Sequence, residues 1–412
     1  MPDNFYDSGF RRGKVIVDLN KNVNYPDSPD YYNARILDGI AFEKAEIIFR
    51  PGKTKGESGF GYILLVHLRN RTKAAVIGAL EKLRANPLVA FAEPDYFYEP
   101  RVIPNDPYFG YLWGAKKIGL PSAWNYVTGS ESVAVGVIDS GIDYNHPDIK
   151  DNMWASRDKS YVNGWDFFNN SGVPMDLSGH GTHVAGTIGA AGNNFIGIAG
   201  VCWKIRLASL RIGSLSMSLA AAIAAIGFAN ENKIPILNNS WGGRFYSPGL
   251  KYAIERYDGL FVVSAGNYGA DNDLIPDYPS SYDSENIISV AASDQYNNLA
   301  PFSNYGAKSV DIAAPGVDIL SLSLNGGYSY LSGTSMAAPQ VAGAAALLKA
   351  YMPGLSAPEI KDIILSSAEK SPSLKGKVLT GGALNAKSMI ETANNFAAQN
   401  LTPGLDCGGF LC

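Results

Sequence analysis

The chain has 412 residues, of which 46% are hydrophobic and 17% charged, with 44 glycines and a formal net charge of -4. That composition describes a globular protein of two or three domains and excludes disordered, fibrous and strongly basic nucleic-acid-binding classes. No apolar run reaches the roughly 18 residues a membrane span needs, and the Ala-rich stretch 219–225 is short and helical in pattern.

The start, Met1-Pro2-Asp3-Asn4, carries neither the basic nor the apolar region of a signal peptide. Either the chain works inside the cell or it follows a leader already removed. Residues 14–19 read as a short strand and 61–68 as an apolar strand, while 72–84 places Val76, Ile77, Leu80 and Leu83 at helical spacing. Residues 88–92 return to extended structure. Glu93-Pro94-Asp95 and the proline-bearing stretch 100–107 then read as a linker, because proline blocks both helix and ladder. The expected organisation is a small α+β unit over 1–101, a large domain over 102–392 and a tail over 393–412.

In the large domain, 133–138, 205–210, 234–237, 260–263 and 287–291 are short, apolar and often β-branched, as strands buried on both faces should be. Between them, 182–191, 218–230 and 248–257 are long enough for crossover helices. The expected fold class is α/β, a parallel sheet with helices on both faces, where function gathers at the carboxyl ends of the strands.

Three local motifs carry chemistry. Asp139 ends the first buried strand and precedes Ser140-Gly141; alone, it reads equally as a turn cap. His180 lies in Gly179-His180-Gly181-Thr182-His183, whose two histidines lack the further ligands and the Glu of a zinc motif. Ser335 lies in Gly333-Thr334-Ser335-Met336-Ala337-Ala338-Pro339, at the expected start of an Ala-rich helix whose free amides favour the negative charge of acyl transfer.

Asp, His and Ser in this order, each within its local motif, resemble the subtilase family, most like its thermitase-type subtilisins. The resemblance reaches from Val89-Ala90-Phe91-Ala92-Glu93-Pro94-Asp95 to the helix after Ser335. It implies a serine endopeptidase with Asp139, His180 and Ser335 as the triad and Asn267 as an oxyanion-hole donor. Ser240, Trp241 and Gly242 are similar to the family's substrate-binding strand, with polypeptides as the partners it binds. Asp277 falls at the base of the pocket for the residue before the cut (P1), where many subtilisins carry glycine, and implies a preference for basic side chains. The 1–101 unit is similar to a pro-domain that assists folding and inhibits the enzyme intramolecularly until cleaved, with Arg101 at the expected cut. The family's calcium site is matched by Asp106, Asp148 and Asn194, with the carbonyls of Gly192, Ile196 and Ile198. Secretion is the implied location, with an intracellular one as the alternative.

Two positions depart from the family: Gly213-Ser214-Leu215-Ser216 lacks the usual Gly-Ser-Gly, and Gln340 stands where histidine is common. An esterase is excluded because Ser335 is not in Gly-x-Ser-x-Gly and the acid does not lie between serine and histidine. A catalytically inert homologue used for binding is the alternative. Cys202, Cys407 and Cys412 are too scattered to staple the chain.

Overall fold

The chain divides into two units, Met1–Glu99 and Pro100–Cys412. The computed structural model describes residues 10–20, 35–50, 61–96 and 102–400; Arg101, Cys407 and Cys412 lie outside them.

In the first unit, β1 (Phe10–Leu19), β2 (Phe42–Phe49), β3 (Ile63–Leu68) and β4 (Val89–Tyr96) form an antiparallel sheet in the order β2-β3-β1-β4. Alternate residues Val15, Val17, Leu64 and Val66 are buried in one cluster with Val76, Ala79, Leu80 and Leu83 of α1 (Lys73–Ala85). Thr72 caps α1 by accepting a hydrogen bond from Ala75 N. The sequence reading missed β2, an edge strand in which Glu43, Lys44 and Glu46 break the apolar pattern and discourage further pairing. It also placed Glu93-Pro94-Asp95 in a linker, whereas all three belong to β4. That strand is the other edge of the sheet, where proline is tolerated.

The second unit is built on a nine-stranded sheet. Its strands are β5 (Gly129–Asp139), β6 (Gly164–Asp166), β7 (Lys204–Arg211), β8 (Ile236–Asn239), β9 (Leu260–Ser264), β10 (Ile287–Ser293) and β11 (Ile312–Pro315), completed at one edge by Glu369–Lys370 and Gly382–Ala383. The seven long strands are parallel, and only the outermost edge pair is antiparallel. Buried residues alternate between two cores: Leu260 and Val262 of β9 enter one, Phe261 and Val263 the other. Such two-sided burial requires helices on both faces. Two short helices, α2 (Trp113–Lys117) and α3 (Leu120–Ala123), precede the sheet; α4 (His180–Gly189), α7 (Thr334–Tyr351), α8 (Ala357–Ser366) and α9 (Ala386–Asn400) share the first core. The second core takes α5 (Leu219–Glu231) and α6 (Pro248–Glu255). A separate hairpin pairs Ile319–Ser323 with Gly327–Leu331.

Strand order β9-β8-β5-β7-β6 means that the chain leaves β5 in one direction for β6 and β7 and returns past it for β8 onward. The crevice at the carboxyl end of β5 is therefore the switch point where such sheets bind ligands. Two boundaries differ from the sequence reading. The strand expected over 234–237 starts at Ile236 and ends in buried Asn238 and Asn239, a polar end that an apolar pattern does not reveal. The expected 392/393 boundary falls inside α9, whose Ala393 is fully buried.

Phe261 is wholly buried at the centre of the sheet, so Phe261→Ala should destabilise the protein by about 3–5 kcal/mol. Leu215→Ala, at a side chain 96% exposed, should stay within about 0.5 kcal/mol. Denaturant unfolding followed by circular dichroism checks both; equal midpoints would contradict the packing described.

Candidate active site

Asp139 closes β5 with no exposure to solvent. Its Oδ1 accepts from Ser140 N at 2.7 Å and from His180 Nδ1 at 2.8 Å. Because the buried carboxylate is bonded to the ring at Nδ1, its charge raises the pKa of His180; burial opposes this but is outweighed. Gly181 is required by this junction, since a Cβ there would stand 2.1 Å from the Gly141 carbonyl oxygen and 3.2 Å from Asp139 Oδ1. His183 is turned away. Its Nε2 lies 3.0 Å from Ile319 O and 3.1 Å from Ser329 O, and burial holds its pKa down at about 4.

Ser335 is the second residue of α7, which packs against α4. Gly333 offers no side-chain cap, and with Thr334 N donating to Asn267 Oδ1 and Met336 N to Gly333 O, the amide of Ser335 between them is left without a partner among the described residues. Ser335 Oγ donates to Ser240 O at 3.2 Å, and Ser240 Oγ donates to Ser335 O at 2.9 Å. The nucleophile candidate thus rests against the Ser240-Trp241-Gly242 strand; bonds between serine and base commonly tighten only when substrate binds.

Asn267 follows β9. Its Oδ1 accepts from Thr334 N at 2.8 Å and Thr334 Oγ1 at 2.9 Å, which turns Nδ2 the other way. A Cβ placed on Gly333 would lie 3.5 Å from Asn267 Nδ2 and 3.6 Å from Ser335 N. Glycine at 333 therefore leaves open a point near Asn267 Nδ2 and Ser335 N, with Asn267 Oδ1, already engaged by Thr334, 3.7 Å away. The sequence reading passed over Asn304, whose Oδ1 accepts from Tyr268 N at 2.8 Å and Ala270 N at 3.1 Å to hold the loop beyond Asn267. Nothing local marks a loop asparagine 37 positions away, and only the fold reveals it.

Trp241 Nε1 donates to Ile138 O at 2.9 Å, fixing the segment after β8 to β5, and Gly243 exchanges hydrogen bonds with Tyr278 at 2.8 and 2.7 Å. Those bonds bring Asp277 beneath Gly242. A Cβ on Gly242 would come within 2.6 Å of Asp277 Oδ1, and one on Gly266 within 3.5 Å of its Cγ. The carboxyl is 3% exposed, accepts no hydrogen bond among the described residues, and is pushed up by burial to about 6, with Arg244 opposing. Although the Gly-Ser-Gly pattern is missing, an apolar cavity of about 620 Å³ lies between Leu215, Met217, Trp241, Phe245 and Tyr246.

The remaining predicted residues meet at a loop after α4. Asp148 accepts from Asn194 Nδ2 at 2.9 Å and from Ile198 N at 2.9 Å, and burial raises it to about 6. Asp106 accepts from Asn193 N at 2.7 Å, yet its buried Oδ1 has no partner. The carbonyls of Gly192, Ile196 and Ile198 accept no hydrogen bond among the described residues. An orphaned carboxylate oxygen, a second buried carboxylate and three free carbonyls fit a hard cation. Among the described residues no cluster of three or more His, Cys, Asp or Glu could hold a metal, so amide and main-chain oxygens would have to complete this one.

Residues 130–394 match the Subtilase family model. A thermophilic serine proteinase of Bacillus sp. strain AK1 is 40% identical over 371 residues, 87% of this chain and 82% of that protein. Thermitase of Thermoactinomyces vulgaris is 37% identical over 294 residues, 70% of this chain and 99% of its own. A solved protease structure from Pseudoalteromonas arctica superposes with a TM-score of 0.64 at 27% identity, covering 71% of this chain and all of that one. With the sheet, the carboxylate–imidazole bond and the serine at a helix start already in place, these likenesses assign the chain to the subtilase family as a subtilisin-like serine endopeptidase.

Proposed function

We propose that Asp139, His180, Ser335 and Asn267 carry peptide hydrolysis through an acyl-enzyme, and that the chain is a self-processing zymogen. The observation that carries the reading is the buried Asp139–His180 bond of 2.8 Å, with Ser335 at the start of α7, the helix that packs against α4. His180 Nε2 takes the proton of Ser335 Oγ as that oxygen bonds to the scissile carbonyl carbon. Asp139 holds the ring through Nδ1 and stabilises the imidazolium, without taking the proton itself. The carbonyl oxygen, now an anion, accepts from Asn267 Nδ2 and Ser335 N. In subtilisin itself the loss of such a side-chain donor costs about 2.7–4 kcal/mol. His180 then protonates the leaving amine, and water repeats the sequence on the acyl-enzyme. Polypeptide substrate would add to the 240–242 strand through main-chain hydrogen bonds. The unit Met1–Glu99 acts as the pro-domain, released by a cut after Arg101, and the enzyme works outside the cell. Among the described residues no helix is long and apolar enough to cross a membrane.

Asp106, Asp148 and Asn194, with the carbonyls of Gly192, Ile196 and Ile198, would hold calcium, whose charge would neutralise two buried carboxylates and tie the loop after α4. Asp277 selects Lys or Arg at P1: a substrate cation compensates its desolvation, whereas Phe leaves it unpaired.

Ser335→Ala should abolish hydrolysis of denatured casein while leaving the melting temperature near wild type; wild-type turnover would refute the mechanism. Excess chelator should lower the melting temperature of wild type but not of Asp148→Ala, since a ligand that binds only the folded state contributes about 2.7 kcal/mol at a hundredfold excess over Kd. Identical wild-type melting with and without chelator would remove the site. With P1 Arg, Lys, Phe and Leu in otherwise identical peptides, the basic preference should grow as pH rises through about 6, where Asp277 ionises, and vanish in Asp277→Gly. A wild-type preference for Phe, unaltered by that substitution, would exclude this specificity.

A further inference from the structure

The catalytic strand and the catalytic helix are tied together by a carboxylate that the mechanism does not use. Asp176 lies in the loop before α4 and is 3% exposed. Its Oδ1 accepts from Ser140 Oγ at 2.9 Å, Ser178 N at 2.9 Å, Ser178 Oγ at 3.3 Å and Gly179 N at 3.0 Å. Its Oδ2 accepts from Thr182 N at 2.9 Å and Thr182 Oγ1 at 2.7 Å. Ser140 Oγ in turn accepts from Gly181 N at 2.9 Å. Ser140 is the neighbour of Asp139, and Gly179 to Thr182 bracket His180. Oδ1 of Asp176 thus joins the segment that carries the acid to the residues before the base, and Oδ2 is spent on the helix that carries the base.

We infer that Asp176 is a positioning residue for this reaction, pinning the end of β5 to the first turn of α4 so that Asp139 and His180 meet in bonding geometry. The inference rests on the reading of Asp139, His180 and Ser335 as the catalytic groups. Without the clamp, two chain segments 41 positions apart in sequence would be held at this point by the Asp139–His180 bond, the bond from Asp143 N to Thr182 Oγ1 and glycine packing. Displacements of about 1 Å in such a site lower rates about a hundredfold.

Asp176 also acts through its charge. Burial pushes its pKa up, but the bonds from Thr182, Ser178 and Gly179 outweigh that and keep it below the usual carboxylate range. The charged groups that act on His180 are Asp139 at the end of β5 and Asp176 before α4, while His183, one turn along α4, is turned away onto Ile319 O and Ser329 O. His183 is neutral near pH 7, so the two carboxylates favour the imidazolium, Asp139 more strongly and Asp176 by a smaller addition. His180 accepts a proton only when neutral, so activity appears as pH rises through its pKa. Removing the charge of Asp176 lowers that pKa and moves the acid limb of the profile to lower pH.

The test measures kcat, KM and the pH profile of kcat/KM on one peptide for wild type, Asp176→Asn, Ser140→Ala, Ser140→Thr and Ser335→Ala. Asp176→Asn and Ser140→Ala should lose about ten- to a hundredfold in kcat with KM near wild type. Asp176→Asn should move the acid limb to lower pH, Ser140→Ala should leave it in place, and Ser140→Thr, which keeps the hydroxyl, should recover most of the lost rate. A folded Asp176→Asn with wild-type kcat and an unmoved limb overturns the inference. Should Asp176→Asn not fold, Ser140→Ala decides, and wild-type kcat in that variant overturns it equally. An active Ser335→Ala would instead bring down the reading of the site itself, and this inference with it.

Discussion

A carboxylate with no access to water, bonded to an imidazole, is the constraint on which the rest depends. Asp139 is fully buried, and its Oδ2 has no hydrogen-bond partner. A lone anion in that position would be strongly unfavourable, so its tolerance depends on the partners of Oδ1 and on the imidazolium that can form beside it. The sheet supplies the position, because the end of β5 is where the strand order reverses. The loop before α4 supplies the partner, by starting that helix at His180.

Glycine marks each place where the site needs room rather than a side chain. Gly181 lets α4 close on Asp139, Gly333 leaves room near Asn267 Nδ2 and Ser335 N, and Gly242 leaves room for the buried carboxyl of Asp277. The same device could not be replaced by alanine at Gly242 without meeting Asp277 Oδ1 at 2.6 Å. The site is therefore built from backbone clearance as much as from functional groups. Along the loop after α4 the logic is reversed: Asp106 Oδ1 and the carbonyls of Gly192, Ile196 and Ile198 have no hydrogen-bond donor among the described residues.

Much of this was legible in the sequence because it is written locally. The buried strands show as apolar runs, and the Asp139, His180 and Ser335 motifs each lie within a few residues of a strand or helix end. What the sequence concealed is non-local or polar. Charges in β2 mask an edge strand, Pro94 imitates a linker while sitting on a sheet edge, and Asn238 and Asn239 end a strand that apolar periodicity would stop sooner. Ala393 looks like part of a tail until its burial against the core is seen. The contacts of Asn304 with the loop of Asn267, and of Asp176 with Ser140, join positions far apart in the chain and have no signature in either segment.

The central claim is that Ser335 is the atom-bearing nucleophile of a site completed by Asp139 and His180. It is tested most directly by treating the full chain with a serine-directed fluorophosphonate and locating the adduct by peptide mass spectrometry. A single adduct on Ser335, formed in step with loss of activity and suppressed in His180→Ala, is the expected result. Complete labelling at another residue, or full proteolytic activity in protein whose Ser335 is already modified, would contradict the account.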